Sequence, residues 1–143
     1  MNRLIYSIRI LLVSALIALA SCSSESPAAD YAKVFSEMAA EIDRTSDNEQ
    51  CRRMLTDGKA EWKTQLNSIV ERNGSYKLTD SDRTLLKNAM KSYMEVSMKK
   101  SIEFGGSDSE GIEEMANSML ETIVFPKIDA AVTLSDLAAP INK

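Results

Sequence analysis

The chain has 143 residues, with 21 Asp and Glu against 17 Lys and Arg and a net charge of −4. That length suits one domain with one core, and the acidic balance argues against nucleic-acid binding, which needs clustered Lys and Arg to neutralise phosphates. There is no histidine, which excludes Ser–His and Cys–His nucleophile pairs and most zinc sites.

Arg3 and Arg9 charge the N-terminus, and residues 10–20 form an apolar run interrupted only by Ser14. This run is too short for a bilayer core, which takes ~20 residues in a helix. A positive start, a short apolar middle and small residues before a cut read as a secretory signal. Leu19-Ala20-Ser21-Cys22 resembles the lipobox of bacterial lipoproteins, the class cut by signal peptidase II. The resemblance is confined to this N-terminal segment and implies an address rather than an activity. In that class the cysteine thiol, here Cys22, receives a diacylglycerol, cleavage frees its amine for a further acyl chain, and residues 1–21 are discarded. Two or three chains hold a protein firmly, where one alone binds only marginally. In Gram-negative lipoproteins an Asp after the cysteine often retains the protein in the inner membrane. Ser23 stands there, so the expected place is the cell envelope, with the outer membrane favoured in a Gram-negative cell.

Cleavage leaves 122 of the 143 residues and removes Arg3 and Arg9 but no acid, so the charge moves from −4 to −6. An acidic domain is not drawn to anionic headgroups, and the acyl chains must hold it. The expected organisation is a signal peptide over 1–21, a lipidated linker over 22–26 and a helical domain over 27–143. Ser23 to Ser26 reach at most ~14 Å, so the domain sits close to its own membrane.

Ser26-Pro27 reads as an N-cap followed by Pro at the first helical position. Tyr31, Val34, Phe35, Met38, Ala39 and Ile42 then recur on one face. Ser46 with Glu49 reads as a capping box opening a second helix. Its stripe runs through Cys51, Met54, Leu55, Gly58, Trp62, Leu66, Ile69 and Val70, and a left-handed C-cap is expected at Asn73-Gly74. Thr79 with Asp82 opens a third helix ending at Gly105-Gly106, and Ser107 with Glu110 opens a fourth carrying Ile112, Met115, Ala116, Met119, Leu120 and Ile123. Pro126 should end or kink it. Residues 127–132 add a further turn or two, followed by an irregular tail docked by Ile128, Leu134 and Leu137. Nothing alternates with period two. Short connections make successive helices antiparallel, so the expected fold is all-α, an up-and-down four-helix bundle.

Cys51 follows Asp47–Gln50 in the first turns of a helix and neighbours Arg52 and Arg53, a setting that lowers a thiol's pKa. It also lies in register with Met54 and Leu55, and free cysteine is among the most buried residue types. Core placement is expected, with an intermolecular disulfide and a reactive thiol as the alternatives. Met90, Met94 and Met98 repeat every four residues, as do Met115 and Met119. Thioethers are soft ligands for Cu(I), but methionine equally fills irregular interiors and adaptable binding surfaces. Leu86, Ala89, Met90 and Tyr93 mark the core face of the third helix, which puts Met94 and Met98 at its flank.

No Gly-x-Ser-x-Gly, phosphate loop or Cys-x-x-Cys occurs. A carboxylate-only cell-wall hydrolase would need paired acids such as Glu113 and Glu114, but neighbours on a helix diverge by ~100°, and both acids suit a helix N-terminal end. The expected function is a non-catalytic, membrane-anchored lipoprotein whose helical domain binds a membrane-proximal protein or envelope component, with no cofactor. Cu(I) handling through Met94, Met98, Met115 and Met119 is the alternative, and the hydrolase a distant third.

Overall fold

The computed structural model describes residues 25–105 and 109–138. The expected signal segment 1–21, the expected lipidation site Cys22, Ser107 of the expected fourth capping box and the tail beyond 138 lie outside the described residues. Within them the chain is all-α, as the sequence indicates. The helices are α1 Pro27–Asp43, α2 Asn48–Asn73, α3 Asp80–Gly105, α4 Ser109–Met119, α5 Phe125–Ala130 and α6 Leu134–Ala138, with a π-helical turn at Leu120–Val124 joining α4 to α5. None of the described helices is long and apolar enough to cross a membrane.

The cap at Ser26 forms as read: its Oγ accepts from the Ala29 N–H at 3.2 Å, and Pro27 opens α1. α1 buries Ala28, Tyr31, Val34, Met38 and Ile42 over a broad arc, because α3 packs along one side of it and α2 along another. The two ends of α1 fix its direction against α3. At one pole Ser26 Oγ donates to Asp82 Oδ1 at 2.9 Å; at the other Lys100 Nζ donates to the Thr45 carbonyl at 3.0 Å. α1 and α3 therefore run the same way. Lys100 is buried, also pairs with Glu103 at 3.2 Å, and places a cation at the negative C-terminal end of α1.

The second cap corrects the sequence reading. Asp47, not Ser46, is the N-cap of α2, its carboxylate accepting from the Gln50 N–H at 2.8 Å. Gln50 turns back to accept from the Ser46 N–H and hydroxyl, while Glu49 pairs with Arg53. At the other end Gly74 has φ −57, so no left-handed cap forms. Glycine is needed there for closeness instead: a Cβ would collide with Ser135 Oγ, whose own N–H donates to the Gly74 carbonyl at 3.0 Å.

The Thr79–Asp82 box forms in full. The Asp82 N–H donates to Thr79 Oγ1 at 3.1 Å, and Asp82 Oδ2 accepts from the Thr79 N–H at 2.9 Å. Asp82 is buried and also accepts from the hydroxyls of Thr79, Tyr76 and Ser26. Burial alone would push its pKa up, but these hydrogen bonds outweigh it and hold the carboxyl below the usual range.

Pro126 neither ends nor breaks the helix. The preceding turn widens, with the Phe125 N–H reaching the Leu120 carbonyl, and the proline enters as an early residue of α5. Past Ala130 the chain extends. The Leu78 N–H donates to the Val132 carbonyl and the Leu134 N–H to the Tyr76 carbonyl, both at 3.0 Å, around an antiparallel bridge of Lys77 with Thr133. The tail is thus more regular than expected, since α6 follows, with the Asp136 carboxylate folded back onto the turn before it. The Thr133 and Val132 N–H groups donate to Asp136 and hold its carboxyl below the usual range. Ile128 and Leu134 are buried and Leu137 half-buried, so the docking residues are those anticipated.

Candidate functional site

α2 packs on α1, touches α3 little and meets α6 near its C-terminal end. The stripe of α2 is therefore incompletely covered: Cys51, Trp62 and Ile69 are buried, while Met54, Leu55, Leu66 and Val70 are only half-buried. Between this stripe and the α1–α3 pair lies a groove of about 690 Å³. Tyr31, Phe35 and Met38 of α1 line one wall and Leu55, Trp62 and Leu66 of α2 the other, with Tyr93 of α3 and Leu137 of α6 also on the lining.

The aromatic wall is a chain of ring contacts. Phe35 lies 5.8 Å from Tyr31 and 5.9 Å from Tyr93, the latter edge-on at 68°, arrangements favoured by ring quadrupoles. Burial pushes the Tyr31 phenol up from its ordinary pKa. On the α2 wall the indole of Trp62 leans back one turn over Gly58, where a Cβ would stand 3.0 Å from the ring. Gly58 thus makes room for the flat side of Trp62.

The charged groups of the lining have one sign. Lys59 and Lys63, one turn apart on α2, and Lys127 of α5 contribute to it, and no Asp or Glu does. In a chain where acids outnumber bases, this is a local reversal of charge. A second cavity of about 270 Å³ shares Phe35, Tyr93, Lys127 and Leu137 with the groove and continues to Met90 and Met94. Apolar walls with a few polar groups are what small-molecule sites require.

The methionines predicted as an edge divide between two environments. Met94 and Met98 are half-buried and line a cleft of about 390 Å³ between α3 and α4, together with Ala116 and Leu120. Met115 and Met119 are 61% and 44% exposed and do not line that cleft. Cys51 is a free thiol, buried in the main core as expected. Glu114 is exposed, and the side chain of Glu113 lies outside the described residues. Among the described residues no group of three or more Cys, Asp or Glu side chains is placed to hold a metal ion.

Sequence reasoning placed Tyr31, Phe35, Leu55, Trp62 and Leu66 on the apolar faces of the first two helices and gave Lys59 and Lys63 no role. A signal was present: the α2 stripe holds more apolar positions than one partner helix covers, and the two lysines flank its only tryptophan. Comparison of the chain with known protein families, curated proteins and solved structures finds no match.

Proposed function

We propose that this chain is an envelope lipoprotein, anchored through acyl chains on Cys22, whose non-catalytic helical domain binds a membrane-proximal component in the aromatic groove. The groove carries this reading: about 690 Å³ of apolar and aromatic lining, open along one side of α2. The lipobox-like Leu19-Ala20-Ser21-Cys22 supports the anchor, and the shortness of the stretch from Cys22 to the Ser26 cap supports a site near the bilayer. We take the domain as an up-and-down four-helix arrangement. Its support is the parallel run of α1 and α3, with short connections that return the chain through α2 and α4.

Two measurements on cells test the proposal. Metabolic labelling with an alkyne fatty acid is expected to mark the wild type and not Cys22→Ala, which should accumulate uncleaved. A photo-crosslinking residue at Leu55, on the groove lining, is expected to capture an envelope component, whereas the same residue at Glu61, exposed on α2, captures none. An unlipidated wild type would overturn the anchor; no adduct at Leu55 would overturn the binding site.

A further inference from the structure

We propose that the groove holds the acyl chain of a long-chain fatty acid in its carboxylate form, with Lys59 and Lys63 pairing with the carboxylate. This rests on the groove being the binding site and names the class of ligand it takes. Three observations converge. Leu55, Trp62, Leu66 and Val70 spread apolar lining along α2 over ~22 Å at 1.5 Å per residue, with Lys59, Lys63 and Asn67 between them. One leaflet's thickness of acyl chain, about half of the ~30 Å hydrocarbon core, fits along that length. The volume, about 690 Å³, falls inside the ~300–1,000 Å³ that sites for single small molecules occupy.

The charge decides which apolar molecule. A neutral hydrocarbon needs no lysines, and a cationic amphiphile would be repelled by them. Lys59, Lys63 and Lys127 share the lining with no carboxylate, and neither Lys59 nor Lys63 forms an ion pair with a described residue. A chain with an excess of acids has gathered cations beside an apolar opening. A flexible ammonium on a long stem follows a carboxylate head without demanding fixed geometry, while the ring wall of Tyr31, Phe35 and Tyr93 meets the hydrocarbon.

The test uses the processed, lipidated protein reconstituted in neutral phosphatidylcholine vesicles. The probe is a C16 fatty acid with a diazirine in its chain and a terminal alkyne; its methyl ester is the uncharged control. After irradiation and digestion, adducts are expected on peptides from α1 and α2 that line the groove. The ester should label about tenfold less, and Lys59→Glu with Lys63→Glu should lower acid labelling by a similar factor, as loss or reversal of a short-range charge pair implies. Both lysines are exposed, and an unchanged melting curve confirms that the variant remains folded. Equal labelling by acid and ester, insensitivity to the lysine reversal, or adducts scattered over the surface would each overturn the fatty-acid proposal. Acid labelling of Cys22→Ser alone would overturn it too, since the protein's own acyl chain would then be the occupant. A protein captured at Leu55 in cells, with no acid labelling here, would refute the fatty acid while keeping the groove as a binding site. No capture at Leu55 would remove both.

Discussion

Replacing Trp62 by alanine should be the most damaging single truncation on α2. The side chain is 4% exposed and packs across Gly58 on one side and into the core cluster on the other. Removing a buried Trp or Phe costs ~3–5 kcal/mol when the space cannot close. Here one flank of the indole borders the groove, so the hole joins an existing opening that water enters, and the lower end, ~3 kcal/mol, is expected. For a domain of this size that is a fall in Tm of about 10–15 °C. Far-UV circular dichroism during heating measures it, with urea denaturation as a second axis. Trp62→Phe keeps a flat ring over Gly58 and should recover about half of the loss. A Tm within about 2 °C of wild type for Trp62→Ala would show that the indole is not part of the packed interior, and the account of the α2 wall would fail with it.

Asp82→Asn should cost ~1–2 kcal/mol, because it weakens a helix cap that also receives Ser26 and Tyr76. The folded carboxyl sits below its unfolded value, so its stabilisation is complete above about pH 4 and is lost as pH falls through the lower, folded value. Urea midpoints from pH 6 to 2 should therefore fall more steeply for wild type than for Asp82→Asn, and parallel curves would refute this. Lys100→Ala leaves the buried Thr45 carbonyl without its donor and should cost ~1–3 kcal/mol; Lys100→Met, which keeps the stem, should recover little, and full recovery would mean that packing alone matters. Met94→Leu with Met98→Leu should fold at under ~1.5 kcal/mol each. Anaerobic Cu(I) titration against a chelator should show no tight site in wild type, and a stoichiometric site lost in the double variant would restore the copper reading.

Helical class and two of the caps were legible because they depend on residues three or four positions apart. Ser26-Pro27 and Thr79–Asp82 acted as their local chemistry predicts. Ser46 failed because two equally suited caps stand side by side and Asp47 took the role. Gly74 was misread because its need for a missing side chain comes from Ser135, far along the chain. Thr133 and Asp136 repeat the spacing of Thr79 and Asp82, and the carboxylate's return to the Thr133 N–H was there to be read. Lys100 was not: nothing local distinguishes it from Lys99, and only the fold brings the end of α1 to it. The groove was hidden for a related reason. Periodicity marks which face of α2 is apolar, but the closeness of its neighbours is set by how helices distant in sequence pack.

The widened turn at Leu120–Val124 couples two features of the sequence that otherwise look independent. Leu120 and Ile128 are both essentially inaccessible to solvent, yet they lie eight residues apart. In an unbroken α-helix at ~100° per residue they would diverge by ~80°. The turn absorbs one surplus residue and brings them into line. Deleting a residue there would preserve that alignment, but the tightened helix would press the ring of Pro126 against the carbonyl four positions before it, at ~3 kcal/mol. Replacing Pro126 by alanine would relieve that clash. The deletion and the proline replacement should therefore be far better tolerated together than the deletion is alone. Chain length and residue identity at this joint are constrained as a pair, and sequence drift can pass through it only by changing both.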